Sequence, residues 1–346
     1  MSGSPDHKVE LVAEIAQAHD GSLGNAHAYI DALVGTGVDT IKFQLHIAQA
    51  ESSAHEPFRV QFSFEDDTRY AYWQRMEFTP EQWAGLKTHC EEHGLEFLAS
   101  PFSIAAVELL ENLGVARYKI GSGETSNLLM LERIARTGKP IILSSGLSTF
   151  EDLDRSVAFL RPHGNALTLL QCTTSYPTEP SQIGLNVIGE LRERYGLPVG
   201  LSDHSGTIYP GLAAVALGAR MLEFHAVFDR RAFGPDASSS LQIDEIKQLA
   251  DGVRAISTAL AHPIDKTKLS VDPGLRTMFG KSLAVNRDLA AGSALQLAHL
   301  ESKKPGDRGI PAQRYAEVLG RKLARSLAAG DFLTDADLAV DKAGPA

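Results

Sequence analysis

Up to about residue 262, short runs of apolar and β-branched residues alternate with stretches whose apolar positions return at helical spacing. The runs VELVAEIA (9–16), DTIKFQ (39–44), LEFLASP (95–101), RYKIGS (117–122), PIILSSG (140–146), LTLLQCT (167–173), LPVGLSD (197–203) and MLEFHA (221–226) predict strands. Helices are predicted over 25–36, 79–94, 103–113, 127–137, 149–161, 183–195, 209–218 and 243–261. Their punctuation is clearest in TPEQWAGLKTHCEEHG: Thr79 caps, Pro80 fits the first helical position, Gln82 completes a capping box and Gly94 ends the helix. Eight strands alternating with eight helices over about 260 residues have the size and rhythm of a (β/α)8 TIM barrel. A doubly wound sheet would need a phosphate fingerprint after its first strand, and AEIAQAHDGSLGNA contains no GxGxxG.

Residues 45–78 form one oversized connection after the second strand, rich in charge and aromatic residues, and are read as a partial lid over the barrel mouth. Beyond the polar connector HPIDKTKLSVDPGLRT the pattern changes. DLAAGSALQLAHL (288–300) matches SLAAGDFLTDADL (326–338) at an offset of 38, with seven of thirteen positions identical. This predicts a duplicated strand-and-turn unit with pseudo-twofold symmetry. The domains expected are therefore 1–265, a linker at 266–279, and a small β-rich domain at 280–346.

Composition narrows the function. A net charge of -10 and a pI near 5.6 argue against nucleic acid or an anionic membrane as the main partner. Cys90 and Cys172 lie far apart with no CxxC spacing, against both a disulfide framework and a zinc-thiolate site. The amino terminus MSGSPDHKVELVAEIAQ lacks the features of a secretory signal, and a cytoplasmic location is expected.

Barrel enzymes draw their catalytic groups from the C-terminal ends of the strands. Here those ends carry Glu14; Lys42 and Gln44; Ser100; Lys119, Ser122 and Glu124; Ser144 and Ser145; Thr173; Asp203 and His204; Glu223 and His225. The N-terminal halves of the same strands are apolar. Lysines at buried strand ends need anionic partners. For one lysine an internal salt bridge suffices. Two, ringed by serine hydroxyls, point to a bound phosphate or carboxylate, with Gly121 and Gly123 admitting an anion near backbone. In isolation the stretch RYKIGSGETSN could be a phosphate cradle, a Schiff-base lysine or a strand ending in a turn. His204 and His225 end neighbouring strands, an arrangement open to divalent metal binding or to hydrogen-bonded core histidines.

The segments AEIAQAHDGS, DTIKFQ, LASPFS, YKIGSGE, ILSSG, QCTTSYPT, GLSDHSG, LEFHAVFDR, GPD and KPGDRGIP together resemble the sialic acid (nonulosonic acid) synthase family, in the family's order and across nearly the whole chain. The resemblance implies condensation of phosphoenolpyruvate with an N-acylated amino sugar. It implies a C-terminal antifreeze-like (SAF, β-clip) domain that completes the partner's site in a domain-swapped homodimer. By resemblance, His204 and His225 are ligands of a divalent metal, Mn2+ before Mg2+ or Co2+. Lys42, Lys119, Ser100, Ser122 and Ser144 hold phosphoenolpyruvate, and Glu124 handles the attacking water. Gln44, Tyr176 and Asp236 contact the sugar, while Glu14 serves either the sugar or the metal-bound water. Lys304 stands where the family usually has an arginine, and Arg308, after an apparent one-residue insertion, is the alternative N-acyl contact. Ala18, Phe224, Ala237 and Thr174 also depart from the family pattern and leave the sugar open among N-acetylmannosamine, a diacetamido-trideoxy hexose, a non-acylated hexose and a phosphorylated one. A pyruvate aldolase working through Lys119, and a carbohydrate- or ice-binding protein built on the C-terminal repeat, are the rival readings.

Overall fold

The computed structural model describes residues 8–340 apart from Gln61 and Leu269. Residues 1–7, on which the reading of the amino terminus rests, and 341–346, the end of the predicted small domain, lie outside the described residues. The chain divides into two compact units, Met1–Pro263 and Ile264–Ala346.

In the first unit, strands β1 (Glu10–Ala16), β2 (Thr40–Leu45), β3 (Glu96–Pro101), β4 (Tyr118–Ile120), β5 (Ile141–Ser144), β6 (Leu167–Cys172), β7 (Val199–Asp203) and β8 (Met221–Val227) lie in the spatial order β3-β2-β1-β8-β7-β6-β5-β4. Each hydrogen-bonded pair is parallel, and β3 lies against β4, so the sheet is a nearly closed (β/α)8 barrel. A short strand β9 (Leu241–Gln242), after the loop that carries Asp236, pairs parallel with the end of β8 at Ala226 and Val227. Among the described residues no helix is long and apolar enough to cross a membrane.

The strand period of two residues separates plug from mouth. Val12, Leu98, Ile142, Leu170 and Met221 form one buried apolar cluster inside the barrel. Two positions further along each strand stand Glu14, Ser100, Ser144, Cys172 and Glu223, which line the mouth. Alternation therefore keeps polar groups on the same inward face as the plug, one layer higher. The outer helices pack on the main core through residues such as Ile30, Leu33, Trp83, Leu86, Leu110 and Leu160. The predicted capping box is present: the Gln82 N–H donates to Thr79 Oγ1 at 3.3 Å and the Thr79 N–H to Gln82 Oε1 at 2.8 Å. Such a cap stabilises a helix by about 1 kcal/mol.

Two sequence expectations need correction. The fourth strand ends at Ile120 instead of Ser122, because Ser122–Glu124 turn into a 3-10 helix after Gly121. The 45–78 connection is not a plain loop: it holds helices Ala48–Glu51 and Arg69–Met76, the second capped by the Thr68 hydroxyl. Ala48, Tyr72, Trp73 and Met76 give it a small core of its own, with Phe58, Phe62 and Tyr70 packed against it. Arg75, bonded to Asp66 at 2.8 Å and to Asp20 at 2.6 Å, ties it to the loop after β1.

In the second unit β10 (Ser282–Val285) and β11 (Leu300–Lys303) run antiparallel. The internal repeat is visible in the backbone. Leu289 and Leu327, 38 positions apart, exchange N–H···O bonds of 2.8 and 2.9 Å, as two copies related by a local twofold would. Gly292 and Gly330 occupy equivalent left-handed positions, with φ of 82° and 93°. The capping boxes of Gln296 with His299 and Thr334 with Asp337 also correspond.

Candidate active site

The mouth opens on a cavity of about 340 Å³. On its floor Glu14, Lys42, Lys119 and Glu223 are all buried. Lys42 Nζ contacts Glu14 Oε2 and lies 3.7 Å from Glu223 Oε1, and Lys119 Nζ lies 3.2 Å from that same oxygen. The register explains the meeting, since Glu14 is paired with Lys42 on one side and with His225 on the other. A bulge after Glu14, with Ala16 at φ 48°, turns the Ala16 N–H back to Glu14 Oε1 at 2.7 Å. Burial, opposed by the Glu223 charge, pushes the Lys42 ammonium down to about 7. Burial alone would raise Glu223, but Lys119 and Lys42 hold its carboxyl down at about 2. The floor charges cancel.

Serines complete this surface. Ser202 Oγ donates to Glu223 Oε1 at 3.0 Å, and Lys42 Nζ donates to Ser100 Oγ at 3.3 Å. Ser144 Oγ and Glu223 Oε2 are buried without a hydrogen-bond partner. An unpartnered buried hydroxyl costs about 1–3 kcal/mol, so at a cavity wall it marks a place for a ligand atom. The Gly146 N–H donates to Ser122 Oγ at 3.1 Å. A Cβ at Gly146 would fall 2.4 Å from Thr174 Oγ1 and 2.6 Å from Ser122 Oγ, so only glycine lets the turn after β5 come this close. Gly121 and Gly123 line the cavity, and a Cβ on Gly123 would meet nothing within 4 Å. Glu124 closes that turn. Burial pushes its carboxyl above the ordinary range, the Glu51 charge adds to this, and a 2.8 Å bond from Asn127 Nδ2 opposes it.

Across the mouth the rings of His204 and His225 lie 5.2 Å apart, with Tyr176 4.2 Å from His204. His204 Nδ1 is 2.9 Å from the Thr173 carbonyl. A carbonyl only accepts, so Nδ1 carries the proton and Nε2 is left for a ligand. Burial would lower His204, but Cys172 beside it and the Thr173 carbonyl bring it above its ordinary value. Burial, then the charges of His204 and Lys42, drive His225 well below its ordinary value and keep it neutral. The two imidazoles that face each other across the mouth are the residues there that could hold a divalent ion.

The lid side supplies groups that were not anticipated as site residues. Arg59 bonds Asp236 Oδ1 at 2.8 Å and lies 4.1 Å above the Tyr176 ring. Arg69 stacks 4.3 Å from Trp73 and lies 3.6 Å from Glu56 Oε1. His46, stacked between Trp73 and Phe102 at 3.8 and 4.5 Å, contacts Glu51 Oε1 at 2.6 Å. Gln17 Nε2 bonds Gln44 Oε1 and lies 3.0 Å from His46 Nε2. For those that lie between residues 45 and 78, the oversized connection was the sequence signal that they belong to the mouth, whereas Gln17 follows β1.

The barrel residues to which the sequence assigned a role come together: Glu14, Lys42, Gln44, Ser100, Lys119, Ser122, Glu124, Ser144, Tyr176, His204, His225 and Asp236 line one cavity. Lys304 and Arg308 belong to the second unit, where Lys304 Nζ lies 4.9 Å from the Phe279 ring. Three of the strand-end groups do not line the cavity. Ser145 Oγ donates to Gln171, Thr173 Oγ1 donates to the Gln182 carbonyl, and Asp203 accepts from Ser205 N–H at 3.1 Å and Oγ at 2.7 Å. With Ser202 and His204 facing inward, alternation sends Asp203 the other way.

Residues 29–265 match the model of the NeuB family, and residues 280–339 match that of the SAF domain. The chain belongs to the NeuB family. As a NeuB-family chain it is 33% identical to the N,N'-diacetyllegionaminic acid synthase of Campylobacter jejuni, over 91% of this chain and 95% of that protein. It is 31% identical to the human N-acetylneuraminate-9-phosphate synthase, over 95% and 92%. The crystal structure of the N-acetylneuraminic acid synthetase from Leptospira borgpetersenii, 29% identical, superposes with a TM-score of 0.68 over 77% of this chain and 88% of that one. These relatives carry the names of different sugar acids, so family membership alone leaves the acceptor open.

Proposed function

We propose that this NeuB-family chain condenses phosphoenolpyruvate with an open-chain N-acylated amino sugar, giving a 2-keto-3-deoxy nonulosonic acid and phosphate. The observation that carries this reading is the floor. Two buried ammoniums with hydroxyls of Ser100, Ser122 and Ser144 around them suit a small phosphorylated carboxylate, and Ser144 Oγ has no partner within the protein. Because Glu14 and Glu223 already neutralise the lysines, such an anion needs a further positive charge close by. His204 and His225 are the residues that would hold a divalent metal, proposed to be Mn2+, and when bound it supplies that charge and polarises the acceptor's aldehyde oxygen.

The chain's own groups divide the remaining work. Lys42, Lys119 and the serines hold and orient phosphoenolpyruvate so that its C3 faces the aldehyde carbon, and Lys119 neutralises the phosphate as its C–O bond breaks. Glu124, with its raised proton affinity, takes a proton from the water that adds at C2. Glu14, fixed by Lys42 and the Ala16 N–H, is a positioning group for Lys42. The ion pair of Lys119 with Glu223 suits an anchor and disfavours the Schiff-base reading, which needs a free amine.

On the acceptor side, the cations Arg59 and Arg69 are paired with Asp236 and Glu56. This supports an uncharged sugar over a phosphorylated one. The buried Nε of Arg69, the atom 3.6 Å from Glu56 Oε1, makes no hydrogen bond within the protein, and an N-acyl or hydroxyl oxygen would accept one from it. We further propose that Lys304 and Arg308 reach the sugar of a partner subunit in a homodimer. The test is phosphate release from phosphoenolpyruvate with Mn2+ and a panel of free and phosphorylated amino sugars. Release with an unphosphorylated N-acylated sugar is expected, and release with none of the panel would overturn the reading.

A further inference from the structure

Two outer helices of the barrel, Leu23–Leu33 and Pro80–Glu92, carry paired spacings that the mouth does not use: His27 and Asp31 on the first, His89 and the capping residue His93 at the end of the second. Residues four apart share a helix face, and these two helices pack on each other. Asp31 Oδ1 lies 3.0 Å from His89 Nε2 and 3.9 Å from His93 Nε2. One ligand atom from each residue falls within a common span of 4.8 Å. A tetrahedral ion with bonds near 2.0–2.1 Å sets its ligand atoms roughly 3.3 Å apart, between those two separations.

The surroundings also fit. His89 Nδ1 lies 2.8 Å from His27 Nδ1, so one of the two nitrogens donates and the other accepts. When His89 Nδ1 is the donor, its Nε2 lone pair faces Asp31 and His93, and His27 acts as the outer partner that fixes a ligating imidazole. The site is open to solvent: the Asp31 side chain is 64% exposed and that of His93 38%. In a (β/α)8 barrel the helices run back against the strands, so the C-terminal end of Pro80–Glu92 lies toward the face opposite the mouth.

We propose that Asp31, His89 and His93 form a second divalent-metal site on the outside of the barrel, with His27 as its positioning residue. Two imidazole nitrogens and one carboxylate oxygen select Zn2+, Ni2+, Co2+ or Cu2+ over Mg2+ or Ca2+. The bound ion clasps the helix that follows β1 to the helix that follows the lid segment. It is structural, and separate from any ion held by His204 and His225.

The test uses chelator-stripped full-length protein titrated with Zn2+ against a chromophoric competitor, with Co2+ absorption as a second readout. A class of Zn2+ binding is expected that persists in His204→Ala and disappears in His93→Ala and in the His89→Ala/His93→Ala double variant. His27→Ala should weaken the same class about 10-fold or more. Zn2+ should raise Tm in the wild type and not in His93→Ala, whose zinc-free Tm and turnover stay at wild-type values. Equal Zn2+ stoichiometry and affinity in the wild type and the double variant would overturn the proposal, whether or not the mouth binds a metal.

Discussion

Replacing Lys42 with Met separates the two roles of the barrel floor. Lys42 Nζ contacts Glu14, lies 3.7 Å from Glu223 and bonds Ser100, so Lys42→Met leaves the Glu14 carboxylate buried with only the Ala16 N–H. Removing one partner of a buried ion pair costs about 3–5 kcal/mol, which for a unit of this size lowers Tm by roughly 5–9 °C. Glu223 keeps Lys119 and should be little affected. Adding Glu14→Gln removes the stranded charge, and the double variant should regain most of the stability, because a neutral pair of similar volume is tolerated where a lone charge is not. Phosphoenolpyruvate affinity should respond differently. Losing one charged hydrogen bond to an anion costs about 1.5–3 kcal/mol, roughly 10- to 150-fold in Kd, and the double variant should not recover it. Urea unfolding gives the first quantity and calorimetric titration with phosphoenolpyruvate the second. If Lys42→Met lost stability but bound phosphoenolpyruvate as the wild type does, Lys42 would be a structural ion pair and the anchor assignment would be wrong.

Other expectations follow from the same geometry. His204→Ala should abolish metal-dependent turnover while leaving the fold intact, and a fully active, chelator-insensitive variant would remove the metal assignment. Glu124→Gln should bind phosphoenolpyruvate normally but release phosphate at least about 100-fold more slowly; an unchanged rate in a single-turnover assay would exclude its role. His19 is buried and held down to about 3, first by burial and then by His46 and Arg75, so it is neutral in the fold and titrates near 6.5 when unfolded. Its contribution is complete above about pH 6.5 and is lost as pH falls toward 3, amounting to about 2 kcal/mol by pH 5. Unfolding free energies from urea titrations at pH 7.5 and 5 should differ less for His19→Gln by that amount, and identical pH dependence would refute the assignment. A chain truncated after residue 279 should keep phosphoenolpyruvate binding but lose sugar turnover; full turnover would rule out a role for Lys304 and Arg308.

Much of the barrel was legible because local rules suffice for it. Buried strands read as apolar runs, helices announce themselves through caps such as Thr79 with Gln82, and period-two alternation places Glu14 above Val12 and Glu223 above Met221 before any fold is known. The repeat at 288–300 and 326–338 was equally local, and its backbone pairing at Leu289 and Leu327 follows from it. The helix Arg69–Met76 escaped notice because its sequence, RYAYWQRM, buries aromatics against a private cluster and shows no simple stripe.

The sequence by itself determined which groups stand at the strand ends and which face each takes, since alternation along a strand is a property of the backbone. Only the tertiary structure decided their partners. Whether Lys42 meets Glu14 or Glu223, whether Arg59 reaches Asp236 across 177 positions, and whether His89 faces Asp31 depend on register and helix packing. Those are set by the closing of the barrel, and separation along the chain carries no information about them.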